Sequence, residues 1–158
     1  MEKERSASME DYLEAIALLS EGDKAARVTE ISQVLGVKKP SVTSALTKLA
    51  QEGLIEHERY GQALLTAKGE IIARDILCRH EILRNFLTEI LNIDPEIATK
   101  DACKMEHITS PVTIERLTKF VEFVSKRPHG EPEWLKNFNY YLEHNKLPEE
   151  CIVRCQRE

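Results

Sequence analysis

Apolar positions return at helical spacing along most of this chain, with one short interruption of strand character. Tyr12, Leu13, Ile16 and Leu19 form the first stripe and predict a helix over residues 9–20. Ser8 is the expected N-cap, Asp11 lies three residues on in a weak capping-box pattern, and Glu21-Gly22-Asp23 closes the helix. Thr29 is the expected cap of a short helix ending at Leu35, and Gly36-Val37 makes a tight turn. A second helix starts at Lys39 or Pro40, because a proline's missing N–H costs nothing in a first turn. Along it Val42, Leu46 and Leu49 face inward, while Ser41, Thr43, Ser44, Thr47 and Lys48 face outward. The period then changes: residues 53–57 and 61–65 predict two short strands around a Tyr60-Gly61 turn.

Helical spacing resumes with Thr66 as cap of a long helix to about residue 91. Its stripe is Ile72, Ile76, Leu83, Leu87 and Ile90, and His80 falls on the same stripe. Asp94-Pro95 starts a further helix with Ala98, Ala102 and Met105 on its packing edge. Ser110-Pro111 starts another, to about residue 126, with Ile114, Leu117, Val121 and Val124 in register. Pro128-His129-Gly130-Glu131-Pro132 is a break, followed by a short aromatic helix carrying Trp134, Leu135, Phe138, Tyr141 and Leu142 that packs back on the core. The expected fold is mainly α: an N-terminal winged helix-turn-helix over residues 1–66, a helical metal-binding and dimerisation domain over 67–128, and a C-terminal extension over 129–158.

Composition narrows the class. The chain has 158 residues, 42% hydrophobic and 31% charged, which suits a globular protein with a real core rather than a disordered one. No apolar run reaches spanning length, so a cytoplasmic protein without membrane contact is expected. Four scattered cysteines, Cys78, Cys103, Cys151 and Cys155, do not make a disulfide framework; reduced thiols or metal ligands are expected. A net charge of −5 weighs against non-specific coating of nucleic acid. Locally the balance reverses: residues 31–51 hold no acid, while Lys38, Lys39 and Lys48 are basic. Together with Pro40, Ser41, Thr43, Ser44 and Thr47 they make the outer face of the second helix a candidate major-groove reader. Arg59 and Tyr60 belong to the tip of the wing, where phosphate contacts fall.

The candidate chemistry centres on Cys103-Lys104-Met105-Glu106-His107. Cys103, Glu106 and His107 stand at i, i+3 and i+4, one face of a helix, and thiolate, carboxylate and imidazole ligate divalent transition metals. Asp11 and Glu14 offer two more oxygens, and His80 a nitrogen. Each has an ordinary alternative: Asp11 a capping carboxylate, Glu14 a solvated face, His80 a satisfied core histidine, Cys103 a small apolar residue. Cys151 and Cys155, with His144, could form a second metal or redox site, or simply a tail with free thiols.

The scattered motifs Met9-Glu10-Asp11-Tyr12-Leu13-Glu14, Lys39-Pro40-Ser41-Val42-Thr43, Leu64-Leu65-Thr66-Ala67-Lys68-Gly69, Arg79-His80-Glu81-Ile82-Leu83 and Cys103-Lys104-Met105-Glu106-His107 carry a resemblance. Over roughly residues 8–127 the chain resembles the diphtheria toxin repressor family of metal-dependent regulators. The resemblance implies a homodimer that binds a palindromic double-stranded operator when Mn2+ or Fe2+ is bound, usually to repress metal uptake. By position, Asp11, Glu14 and His80 look like the ligands of the manganese-responsive branch, and Glu106 and His107 are shared with the iron-responsive branch. Cys103 matches the iron branch, so the set is a hybrid for which Co2+ or Zn2+ could substitute. Two other classes remain open from the residues: a winged-helix regulator sensing redox state or a small ligand through Cys103 or Cys151 and Cys155, and a metal-dependent enzyme, although no nucleophile–base pair or phosphate loop supports the latter.

Overall fold

The structure is a computed structural model that describes residues 2–20 (side chains from Met9 onward), 24–57, 61–126 and 132–149. The chain divides into two compact units, Met1–Arg79 and His80–Glu158, with the division falling inside one helix.

In the first unit, α1 spans Glu2–Leu19 and so begins well before the expected start at Met9. Glu2, Lys3, Glu4 and Arg5 are unbranched residues of good helix propensity, and they carry the helix back past Ser8. Ser8 is therefore not a cap, and Asp11 is a mid-helix residue rather than a partner in a capping box. The stripe holds: Tyr12, Leu13, Ala15 and Ile16 are buried. The expected stop at residues 21–23 lies outside the described residues. The next helix, α2 (Val28–Leu35), takes Arg27 and not Thr29 as its N-cap. The reason is Glu30, whose carboxylate accepts the Arg27 backbone N–H at 3.0 Å and an ammonium hydrogen from Lys24 at 3.3 Å. Gly36 ends α2 in the left-handed region (φ 63°), which a side chain would disfavour. The Ser32 hydroxyl donates to the Val37 carbonyl at 2.6 Å across that turn. The next helix, α3 (Lys39–Gln51), has Pro40 in its first turn and buries Val42, Ala45, Leu46 and Leu49.

A three-stranded antiparallel sheet follows the order β1-β3-β2, from β1 (Ala26–Arg27), β2 (Ile55–His57) and β3 (Gln62–Leu65). Glu56 faces Leu64 and Ala26 faces Ala63 in register. The hairpin was expected; β1 was not, because two residues carry no period. The three-helix core of Ile16, Ile31, Val42, Leu46 and Leu49 closes against Ile55, Ala63 and Ile76. Helix α4 (Ala67–Asn85) opens on Thr66, whose hydroxyl accepts the Gly69 N–H at 3.1 Å and donates to the Gly53 carbonyl at 2.8 Å. That clasp brings α4 so close to the chain before β2 that a Cβ at Gly69 would overlap the Leu54 carbonyl oxygen.

The second unit takes the last turns of α4, then a π-helical turn, Phe86–Ile90, in place of the expected unbroken helix. The Leu91 N–H reaches back five residues to the Phe86 carbonyl at 3.3 Å, and the Thr88 hydroxyl donates to the Arg84 carbonyl at 3.0 Å, a back-bond that bends helices. The next helix, α5 (Pro95–Met105), is capped by Asp94, whose carboxylate accepts from the Glu96 and Ile97 N–H groups at 2.9 and 3.3 Å. Ser110 caps α6 (Pro111–Ser125) through the Thr113 N–H at 3.3 Å. Pro132 starts α7 (Glu133–His144). Leu83, Leu87, Ile90, Ala98, Ala102 and Leu135 are buried. Phe120 joins Phe86 edge-on (6.2 Å between centroids) to Trp134 (6.0 Å), so the aromatic helix packs back as expected. On α6, by contrast, no residue is fully buried. Among the described residues no helix is long and apolar enough to cross a membrane.

Candidate metal centre and nucleic-acid interface

The second unit brings three of the candidate ligands together. His80 projects from α4, Cys103 from the last turn of α5, and Glu106 from the C-cap of α5, because α5 ends at Met105. The His80 Nδ1 lies 2.8 Å from Glu106 Oε2 and 3.7 Å from Cys103 Sγ. One ligand atom from each of the three lies within 4.8 Å of the other two. His107 follows in the turn, with its Nε2 3.5 Å from Glu106 Oε1. Its position next to Glu106 in a turn replaces the helical i, i+4 geometry expected from Cys103.

Burial sharpens the picture. Glu106 has 0% exposure and is the one polar residue fully buried among those described. A carboxylate removed from water is costly unless it is paired, and imidazoles on both sides offset that cost. The imidazole tautomer sets the donor in the His80 Nδ1–Glu106 Oε2 hydrogen bond. Nitrogen, sulfur and carboxylate oxygen are the donor set for a divalent transition metal. The separations fit: Zn–S and Zn–N bonds of about 2.3 and 2.0 Å at a tetrahedral angle place the two donors about 3.5 Å apart, close to the Sγ–Nδ1 distance of 3.7 Å.

Asp11 and Glu14 sit one turn apart on α1 in the first unit, both half-buried. Burial, and then the Asp11 charge, hold the phenol of their neighbour Tyr12 above the usual tyrosine range. Arg79, the last residue of that unit, lies 3.7 Å from Glu10 and 3.2 Å from Asp75, fixing α4 against α1. Its place beside His80 in the sequence was the only signal of that role.

On α3 the outer face is as expected: Lys38, Lys39, Pro40, Ser41, Thr43, Ser44, Thr47 and Lys48 are all exposed. The hydroxyls of Thr43 and Thr47 donate to the Lys39 and Thr43 carbonyls at 3.1 and 2.9 Å, which keeps the face compact. Arg59 and Tyr60 lie outside the described residues, as do Cys151 and Cys155. His144 stacks on Tyr140, with centroids 4.2 Å apart.

With this geometry in hand, comparison with known proteins gives one consistent result. Residues 4–63 match the family description "Iron dependent repressor, N-terminal DNA binding domain", and residues 66–135 match "Iron dependent repressor, metal binding and dimerisation domain". A helix-turn-helix-type transcriptional regulator of Methanocaldococcus jannaschii is 39% identical over 118 residues, covering 74% of this chain and 94% of that protein. The transcriptional regulator MntR of Bacillus subtilis is 34% identical over 138 residues, covering 87% and 96%. Among solved structures, the manganese regulator SloR superposes with a TM-score of 0.66 at 34% identity, covering 77% of this chain. The chain spans 57% of that structure's length. This chain therefore belongs to the iron-dependent repressor family of metal-dependent, DNA-binding transcriptional regulators.

Proposed function

We propose that the protein is a repressor of metal uptake that binds a palindromic operator as a homodimer when Mn2+ or Fe2+ is bound, with Co2+ or Zn2+ able to substitute. The observation that carries this reading is the convergence of His80, Cys103 and the buried Glu106 on one point. The ligand set is Asp11, Glu14, His80, Cys103, Glu106 and His107. Three of these are carboxylates, and like charges held close repel. A bound divalent cation supplies the positive charge that lets such a set share one site. Because Asp11 and Glu14 belong to the DNA-binding unit and the other four to the second unit, metal binding and operator binding become linked equilibria. Two-fold half-sites about 34 Å apart reward that linkage, since they demand a fixed spacing of recognition helices.

At the operator, Ser41, Thr43, Ser44, Thr47 and Lys48 read base edges, Lys38, Lys39, Arg59 and Tyr60 set the register on phosphates, and Pro40 starts the recognition helix against the groove. The domain roles follow: DNA contact over residues 1–66, metal binding and dimerisation over 67–128, and an extension over 129–158. The protein turns over no substrate, and it works in the cytoplasm, where its DNA partner is. The test is operator binding under anaerobic conditions with Mn2+, Fe2+, Co2+ and Zn2+ in turn, against a chelator control. Binding only with metal is expected. Equal binding in chelator overturns the reading, and metal-dependent binding that survives Asp11→Ala overturns the coupling of the two units through Asp11.

A further inference from the structure

We infer that Arg79 is a positioning residue of the metal response: with Glu10 it locks α1 against α4 in one register, before any ion arrives. This rests on the metal-sensing reading above. The Arg79 guanidinium is shared between two helices. Its Nη2 lies 3.7 Å from Glu10 Oε1 on α1, and its Nε lies 3.2 Å from Asp75 Oδ2, one turn back on α4. A planar fork of several donors can serve two carboxylates at once, which a single ammonium does less well. All three residues belong to the first unit. Each end of the pair also adjoins a candidate ligand in the sequence: Glu10 immediately precedes Asp11, and Arg79 immediately precedes His80.

An apolar core alone does not supply such a lock. Leu13 and Ile16 of α1 share one cluster with Ile76 of α4. Glu10 stands one turn before Leu13, and Arg79 one turn after Ile76. Apolar attraction is non-directional, so it holds the helices together without choosing their register. A charge pair does choose, because sliding one helix by a turn would carry the charges about 5.4 Å further apart. The side chains of Arg79 and Glu10 are 19% and 30% exposed, so water and salt screen the pair only in part. Asp75, 70% exposed and on α4 itself, orients the guanidinium but ties nothing across. A register fixed in advance lowers the ordering cost that the ion would otherwise meet.

The experiment uses the full chain, the single variants Arg79→Gln, Glu10→Gln and Asp75→Asn, and the double variant of Glu10→Gln with Arg79→Gln. Mn2+ affinity is measured without DNA, by competition with a chelating indicator. Amide hydrogen exchange of α1 is followed in the metal-free chains. The two ends of the pair carry opposite charge, which separates a field effect from positioning. Through the field alone, loss of the cation strengthens Mn2+ binding and loss of the anion weakens it. A positioning pair makes both Arg79→Gln and Glu10→Gln weaken it, by about twofold to fivefold, the scale of a partly exposed ion pair. The double variant should bind no more weakly than the weaker single one, and Asp75→Asn should change less. The α1 amides should exchange faster in both single variants of the pair. Operator affinity at saturating Mn2+ should equal that of the native chain. Glu10 is the more exposed partner, so Glu10→Gln keeps the test open should Arg79→Gln fail to fold. Shifts of opposite sign, additive shifts, or operator affinity still lost at saturating Mn2+ overturn the inference. Metal-dependent operator binding by the native chain with additive or opposite shifts sinks the lock alone. Non-additive weakening in a chain whose operator binding ignores metal sinks the regulatory reading and leaves the lock standing.

Discussion

At Gly69 the chain has no room for a side chain. A Cβ there would overlap a backbone oxygen, that of Leu54, which cannot rotate away as a flexible side chain would. Gly69→Ala should therefore destabilise the first unit by about 1–3 kcal/mol, the usual cost of overpacking, as read by urea unfolding. A second prediction concerns Glu30. The Arg27 backbone N–H, followed by the Lys24 ammonium, holds its carboxyl below the usual glutamate range. A carboxyl whose folded pKa is depressed contributes stability above its unfolded value of about 4.3, and that contribution is lost as pH falls through the lower folded value. Stability should thus decline below pH of about 4.3, and Glu30→Gln should flatten the decline in acid unfolding curves. Neither residue announced its role in the sequence. Gly69 sat in a motif, but its clash arises only once α4 folds back on Leu54. That Cys103, Glu106 and His107 are side chains of donor type a few residues apart was legible, because residue type and short spacing are local. The full burial of Glu106 was not, because it comes from elements distant in sequence.

Elements whose ends are set by local chemistry were legible, and those set by their surroundings were not. Asp94-Pro95 and Ser110-Pro111 cap their helices as the sequence suggested, and Gly36 ends α2 in the conformation that glycine tolerates best. In contrast, the start of α1, the strand β1 and the π-helical turn at Phe86–Ile90 leave no periodic trace. The cap at α2 moved from Thr29 to Arg27 for a related reason: the carboxylate of Glu30 reached back and settled the frame. Capping gives a prediction at this scale. Asp94 serves two N–H groups at the start of the helix that carries Cys103 and Glu106. Asp94→Ala should cost about 1 kcal/mol. Differential scanning calorimetry should show it as a lowered midpoint, with the DNA-binding unit unaffected.

For the molecule as a whole, the family was legible because its motifs are spread across both units, so that together they constrain what each alone does not. Its functional logic also yields a measurable linkage. A metal that binds only the folded chain at 100 times its Kd should stabilise it by about 2.7 kcal/mol, and chelator should remove that gain. Asp11→Ala should show a smaller metal-dependent rise in the thermal midpoint. Helix α6 carries a different consequence. It holds Ile114, Leu117, Val121 and Val124 on one stripe, yet none is fully buried, and Val112 and Phe123 remain 65% and 57% exposed. In a family with a dimerisation domain, association that covers such a helix makes folding obey mass action. Dilution should lower the thermal midpoint. In a cell the setting of the switch then depends on copy number: doubling the amount of protein shifts the metal level at which it responds, with no change to a single ligand.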